Sequence, residues 1–238
     1  PVVMVTALDD RESKIQAIEA GADDFITKPP QKEELLSRTN SLIKVKKLNN
    51  NLASIENVLF SLANAVEAKD TNTLGHIERV SNMAMTIGRR MKLSDKEIEA
   101  LKIGGALHDV GKIGIPHDIL NKSDKIEPDE WEIMKTHIAI GYKICQLLQN
   151  NFGPALDVIC YHHEKLDGSG YPYGMMGEDI PMVARIMAVV DIYDALISNR
   201  PYRKGMSREE ALKIIYEEAD KNKLDKDIVR CLAELIYE

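Results

Sequence analysis

All six histidines of this 238-residue chain lie between His76 and His163. His76 follows Thr73-Leu74-Gly75 and precedes Ile77-Glu78-Arg79-Val80, a helical stretch. His108-Asp109 closes an apolar run and leads into Val110-Gly111-Lys112. His137 comes shortly after Met134, in the middle of a predicted helix. His162-His163 ends the next helix, and Asp191 lies within Ala188-Val189-Val190-Asp191-Ile192-Tyr193-Asp194. Apolar flanks turn these polar side chains inward, and a buried imidazole or carboxylate needs a partner. A lone histidine on an apolar face is ordinarily a hydrogen-bonded core residue. Five of them with two carboxylates are harder to satisfy that way. A metal cluster satisfies them together. Histidine and aspartate without cysteine suit Mn, Fe or Zn better than a soft-metal site. In His108-Asp109 the carboxylate can bridge two cations while the imidazole binds one, and His162-His163 can serve the other. Two cations about 3.5–4 Å apart ionise a shared water and hold it in line with phosphorus, the arrangement that hydrolyses phosphoesters.

The elements that must position these residues are mostly helices. Hydrophobic residues make up 44 % of the chain and aromatics only 5 %, so the core rests on Leu, Ile, Val, Ala and Met. That composition leans helical. From Leu52 onward no β pattern occurs. Leu59, Leu62 and Val66 share one helix face. Ser94 with Glu97 forms a capping box opening a helix to Val110. Pro128, Pro154, Pro181 and Ser207 open others. Residues 1–47 read differently. Pro1–Thr6 is a buried parallel strand by pattern. Asp9–Ala20 is a helix stopped by Gly21, Asp24–Thr27 a second strand, and a helix runs from Gln31 into the basic stretch Lys44, Lys46, Lys47. This β-α-β-α order signals a parallel sheet. Such a half does not close a core, so the natural chain is expected to begin upstream. Asn49-Asn50-Asn51 marks a hinge. The expected division is residues 1–47, a linker or signalling helix over 48–58, and a large domain over 59–238.

The net charge of −7 argues against a broad nucleic-acid surface. Cys145, Cys160 and Cys231 show no CxxC spacing, which suits a reducing cytoplasm rather than a disulfide framework. No apolar run approaches the roughly 20 residues that span a bilayer, and no signal peptide is visible, so a cytoplasmic protein off the membrane is expected.

Residues 1–47 resemble the C-terminal half of a response-regulator receiver domain. The match lies in Thr6, in Ala20-Gly21-Ala22-Asp23-Asp24-Phe25 and in Lys28-Pro29. In that family the Thr and Lys register a phosphorylated Asp, and an aromatic at the Phe25 position changes rotamer. The resemblance implies a cis Lys28-Pro29 bond and an upstream histidine kinase. The phosphoacceptor would lie upstream of residue 1, so phosphorylation there is not expected in this chain. His108-Asp109 with His76 and Asp191 resembles the HD phosphohydrolase superfamily. His108-Asp109-Val-Gly-Lys112-Ile-Gly-Ile-Pro116, followed by His162-His163-Glu164-Lys-Leu-Asp167-Gly168-Ser-Gly170-Tyr171-Pro172, resembles its HD-GYP subgroup over residues 60–215. The fold implied is mainly α, an all-helical HD-type domain preceded by a partial α/β receiver-like segment. The activity implied is hydrolysis of cyclic di-GMP to linear pGpG, GMP or both. The implied metal ligands are His76, His108, Asp109, His137, His162, His163 and Asp191, holding two divalent cations, Fe or Mn. Some members add a Glu four residues before the first His to help hold a third cation. Asn72 stands there in this chain, so a third is less expected.

Around this cluster, Lys112 follows His108 and Asp109 at a spacing that shares their helix face. Asp109 and Lys112 are the expected catalytic pair, the ammonium neutralising a phosphoryl oxygen or assisting the leaving 3′ oxygen. Gly168, Gly170, Tyr171 and Pro172 make a tight loop, read as one wall of the substrate groove. Arg200 and Arg203 are the expected phosphate clamps. His117 is read as a surface residue, and the methionines as packing. The helix over Gln31–Glu67 is expected to transmit the receiver's state or to form a homodimer. Two rivals stand beside a phosphodiesterase acting on a cyclic dinucleotide. One is an HD-superfamily nucleotide phosphohydrolase, which the Gly-Tyr-Pro loop argues against. The other is a non-catalytic cyclic dinucleotide sensor, against which the complete ligand set argues.

Overall fold

In the computed structural model, which describes residues 1–7, 11–70, 75–122, 124–199 and 204–238, the chain divides into two compact units, Pro1–Val58 and Leu59–Glu238. The first holds strand β1 (Val3–Thr6), helix α1 (Arg11–Glu19), strand β2 (Asp24–Thr27) and most of helix α2 (Lys32–Glu67). The two strands pair in parallel, Val3 opposite Asp24 through Thr6 opposite Thr27. Gly21 ends the α1 turn at φ +96°, a conformation that suits glycine. The Lys28-Pro29 bond is cis. Ile26 is buried, but Met4 and Val5 of β1 are exposed, contrary to the buried strand expected from their pattern. Apolar type alone does not bury a strand; a covering layer does.

Helix α2 runs unbroken through Asn49-Asn50-Asn51, where a hinge was expected. Asparagine lowers helix propensity by only a few tenths of a kcal/mol, about 0.7 at most, which continuity on both sides outweighs. In the second unit the core-facing positions of α2 are Leu59, Ala63 and Val66; Leu62 points out, 55 % exposed. The i, i+4, i+7 spacing keeps one face, and Leu62 lies off it.

The second unit continues with α3 (His76–Arg90), α4 (Asp95–Leu107), α5 (His117–Leu120), α6 (Pro128–Lys135), α7 (His137–Cys145), α8 (Gln149–Tyr161), α9 (Met182–Ile197), α10 (Arg208–Asp220) and α11 (Lys226–Tyr237). Capping boxes open α4 at Ser94/Glu97 and α10 at Ser207/Glu210. Helix α4 stops at Leu107 rather than Val110, and a 3-10 turn follows over Val110–Gly114. Pro154 opens a helical segment as expected: Phe152, at φ −132° and ψ 40°, is non-helical and separates that segment from the short start of α8. His137 is not mid-helix: it is the first residue of α7, after a break at Thr136.

The core lies among α3, α4, α8, α9, α10 and α11. Leu101 and Ile103 of α4, Val158 and Ile159 of α8, Ile186 and Met187 of α9, and Ile215 and Leu232 are all but fully buried. Each such side chain contributes about 1.5–3 kcal/mol on leaving water. Helix α9 is apolar nearly all round and buried accordingly. Asp191 and Asp194 are therefore exceptions that need a reason. Among the described residues no helix is long and apolar enough to cross a membrane. The three cysteines are free.

The 3-10 turn lies directly on the start of α7. A Cβ on Gly111 would stand 1.8 Å from the His137 carbonyl oxygen and 2.6 Å from the Gly141 nitrogen. This contact holds the second residue after His108-Asp109 against the helix that begins at His137. Gly111→Ala is expected to lower stability by about 1–3 kcal/mol or more, because backbone cannot yield as a side-chain tip does. Urea unfolding checks this; an unchanged midpoint would show the contact to be slack.

Candidate metal centre

Four of the histidines sit at helix ends, and their positions follow from what a helix end lacks. The last carbonyls of a helix have no intrahelical donor. His108 follows α4 and its Nδ1 lies 2.8 Å from the Gly105 carbonyl. His137 follows α6 and its Nδ1 lies 2.8 Å from the Met134 carbonyl. His162 follows α8, with Nδ1 3.0 Å from the Val158 carbonyl and 3.2 Å from that of Ile159. A carbonyl only accepts, so in each ring Nδ1 carries the hydrogen and donates. In the neutral ring the lone pair then belongs to Nε2, which is the arrangement of a metal-ligating histidine. His76 opens α3, and its Nδ1 donates to Asp194 Oδ2 at 2.7 Å. The chain enters α3 through Gly75 at φ +72°, and Glu67 accepts from the His76 backbone N–H at 2.8 Å.

The freed Nε2 atoms converge. His137 Nε2 stands 3.5 Å from Asp109 Oδ1, and His108 Nε2 3.5 Å from Asp109 Oδ2. His76 Nε2 is 3.4 Å from His108 Nε2 and 3.5 Å from Asp191 Oδ1. Two groups of donors each fall within 4.8 Å: Asp109 with His137, His162 and His163, and Asp109 with His76 and His108. Asp109 belongs to both, as a bridging carboxylate would. The fit to cations rests on two atoms. His137 Nε2 and His162 Nε2 are buried without a hydrogen-bond partner. An unsatisfied buried polar atom costs about 1–3 kcal/mol, and coordination removes that cost.

Electrostatics keep the rings ready. Burial pushes His137, His162 and His163 down, His162 to about 3 with help from His108, so these rings are neutral at pH 7. Burial acts against charge at Asp109 too, but Lys112 and His108 overcome it and hold this carboxyl well below the usual range. His76 goes the other way. Burial lowers it, yet the Asp194 hydrogen bond and the Asp191 charge raise it overall.

Lys112 Nζ lies 2.7 Å from Asp109 Oδ2 and 3.1 Å from Asp70 Oδ2. Burial disfavours its charge, but these two carboxylates raise its pKa and keep it positive. The turn that carries it is pinned by Lys69, whose Nζ donates to the carbonyls of Ile113 at 2.8 Å and Ile115 at 2.6 Å. The His162-His163 doublet leads into a loop organised by Glu164. This buried carboxylate accepts from the backbone N–H of Tyr173 at 2.8 Å and of Met175 at 3.0 Å. Gly170 passes so close that a Cβ would stand 2.4 Å from the Glu164 Cα. Tyr171 is thereby stacked on His163, centroids 4.7 Å apart at 29°. The Tyr171-Pro172 bond is cis. A cavity of about 240 Å³ opens here, lined by Asp109, Lys112, His137, His163, Tyr171 and Asp191 among others.

Residues 57–228, which contain this whole set, match the HD domain family model. This chain belongs to the HD domain family. It is a mostly helical HD domain preceded by a short β-α-β-α segment. It is 36 % identical over 236 residues to the cyclic di-GMP phosphodiesterase response regulator RpfG of Xanthomonas campestris pv. campestris, covering 91 % of this chain and 62 % of that protein. It is 35 % identical over 244 residues to a cyclic di-GMP phosphodiesterase of Thermotoga maritima, covering 90 % of this chain and 66 % of that protein. The chain thus spans a little under two thirds of these relatives' length. A cyclic GMP-AMP specific phosphodiesterase of V. cholerae, V-cGAP3, shares the fold, with a TM-score of 0.60 at 21 % identity over 77 % of this chain and 49 % of that one.

In this HD domain the structure brings together His76, His108, Asp109, His137, His162, His163 and Asp191, with Lys112, Gly170, Tyr171 and Pro172 beside them. Arg200, Arg203 and Asn72 lie outside the described residues. His117 is exposed and holds Asn121. Sequence reasoning gave no site role to Asp70, Asp194, Arg79, Glu164 or Trp131. Asp194 had a signal: it follows Asp191 by three, so both lie on one helix face. It is buried and accepts from His76, from Arg79 Nε at 2.7 Å and from Arg79 Nη2 at 3.0 Å.

Two outcomes are expected of Asp194. Asp194→Ala removes the anchor of His76, so affinity for Mn²⁺ by titration calorimetry should fall about 10- to 100-fold; an unchanged affinity would mean His76 holds its pose alone. Burial opposes ionisation of Asp194, but the bonds from His76 and Arg79 lower its carboxyl from 3.8 to about 2. A depressed carboxylate contributes stability above its unfolded pKa and loses it as pH falls through the folded one. Below pH 3.8, where His76 stays protonated, the urea-midpoint gap between metal-free wild type and Asp194→Asn should therefore close as pH falls towards about 2. A gap that widens over that acid range would contradict this.

Proposed function

We propose that this HD domain is a phosphodiesterase of the HD-GYP type that cuts a 3′,5′-cyclic dinucleotide, with cyclic di-GMP as substrate and linear pGpG, GMP or both as product. The observation that carries this reading is the pair of unpartnered nitrogens, His137 Nε2 and His162 Nε2, buried beside Asp109. The activities of these two relatives, both cyclic di-GMP phosphodiesterases, support the choice of substrate.

Two divalent cations, Fe or Mn, fit the donor set. His137, His162, His163 and Asp109 would hold one, and His76, His108, Asp191 and Asp109 the other. Bound there, they supply Lewis acidity and a water ionised near neutral pH. The remaining work falls to the chain. Asp109 and Lys112 are the catalytic pair. Lys112, held positive by Asp109 and Asp70, serves as a fixed charge for a phosphoryl oxygen. Gly170, Tyr171 and Pro172 form one wall of the groove, which keeps water from the far side of the phosphate. Arg200 and Arg203 serve as phosphate clamps, a role that rests on their sequence alone.

Regulation belongs to the same reading. The segment 1–47 acts as the receiver-derived input of a histidine kinase pathway. Helix α2 offers a homodimer seam, supported by Leu48, Ile55 and Leu62 at seven-residue spacing, 54, 49 and 55 % exposed.

The test is elemental analysis of the purified chain beside product analysis with cyclic di-GMP. Wild type should hold about two cations and cleave the substrate. Asp109→Ala should lose both metal and turnover while its helical circular dichroism stays. Normal turnover in that variant would remove the role given to Asp109. Metal-free binding without cleavage would make the domain a sensor.

A further inference from the structure

The cavity beside the imidazole cluster has two unlike halves, and phosphodiester cleavage uses only one. Asp70, Asp109, Lys112 and Asp191 make the ionic half. Leu120, Ile126, Trp131 and Met134 make the other, which is apolar apart from Lys122, whose ammonium is paired with Glu130 at 2.6 Å. Leu120 and Met134 are buried at 7 % and 9 % exposure, whereas Trp131 on α6 keeps 43 % of its surface exposed. Exposed indole surface at the lip of a charged cavity suits a flat, weakly hydrated group. The Trp131 ring stands against Tyr171 with centroids 5.9 Å apart at 78°. Tyr171 in turn stacks on His163. A run of rings therefore leads from a candidate metal ligand to the lip. At about 240 Å³ the cavity is smaller than the roughly 300–1,000 Å³ of sites that enclose a whole ligand. It suits one nucleotide unit, with phosphate at the ionic end and base at the apolar end.

Resting on the cyclic dinucleotide reading, we infer that Trp131, with Tyr171 and the floor of Leu120 and Met134, is the subsite for the nucleobase next to the scissile phosphate. Aromatic rings bind bases by stacking, with little regard to which base it is. The subsite therefore sets affinity and orientation, and Trp131 takes no part in bond breaking.

Trp131 is the only tryptophan in the chain, so intrinsic fluorescence reports this position alone. The metal-loaded full chain is titrated with GMP, which has a base but no diester to cut, and separately with inorganic phosphate. GMP should quench Trp131 emission to saturation, and phosphate at the same concentrations should leave it unchanged. In turnover of cyclic di-GMP, Trp131→Ala should raise KM roughly 10- to 100-fold, with kcat within about twofold. Trp131→Phe should recover most of the loss, since it keeps a ring face. Equal emission changes with GMP and phosphate would overturn the inference. So would an unchanged KM in a Trp131→Ala enzyme that still cleaves the substrate. If wild type quenched with GMP yet left cyclic di-GMP intact, the base subsite would stand and the phosphodiesterase reading would fall.

Discussion

The site depends on a hydrogen bond that each anchored imidazole makes away from the centre. At His108, His137 and His162 the Nδ1–H goes to a carbonyl in the last turn of a helix, and at His76 it goes to Asp194. Because a carbonyl only accepts, the tautomer is settled without reference to any cation. The inward Nε2 atoms then meet around Asp109, and two of them find no partner among the described protein groups. The same bond thus satisfies a helix terminus and prepares a ligand.

Such an arrangement needs rigid helices that stop at the right place. Helices α4 and α8 are packed into the core over their later turns, from Ala100 and Ala155 onward, and both lead into a buried histidine. Helix α9 is so apolar that it can hold Asp191 and Asp194 only where other charges meet them. Asp194 meets His76 and Arg79; Asp191 faces His76 and His108. The contact of Gly111 on the first turn of α7 joins the His108-Asp109 end of α4 to His137. Apolar burial supplies the stability, and the polar groups at the helix ends decide which side chains face the cluster.

Charge is handled locally. The chain carries a net −7, yet Asp70, Asp109 and Asp194 at the cluster each face a cationic side chain. Lys112 answers Asp109 and Asp70, and Arg79 answers Asp194. The residues just after α2 take part in this network: Lys69 pins the 3-10 turn and Asp70 holds Lys112. With Glu67 over the start of α3, the end of α2 is tied to both sides of the cluster. A shift of that end would be felt at Lys112 through these bonds.

Residue types and spacing already establish the metal-suited set, the helical class, the strand Asp24–Thr27 and the openings at Ser94, Pro128 and Ser207. These are local properties: a capping box is read within four residues, and a histidine beside an aspartate needs no third dimension to be noticed. Packing decided what depends on distant neighbours. Met4 and Val5 are apolar but exposed, since burial belongs to a covering layer. Asn49-Asn50-Asn51 stays helical, since weak propensity yields to the flanking turns. His137 lies at a helix start, so its anchor is a carbonyl of the preceding helix. Asp191 and Asp194 look alike in sequence; only the crossing of α9 with α3 gives one to the cluster and the other to its support. Trp131 reads as one aromatic among few until α6 is set beside the Tyr171 loop. Chemistry written in side-chain type is legible along the chain, but which atom faces which is set by helix ends and crossings that no local window contains.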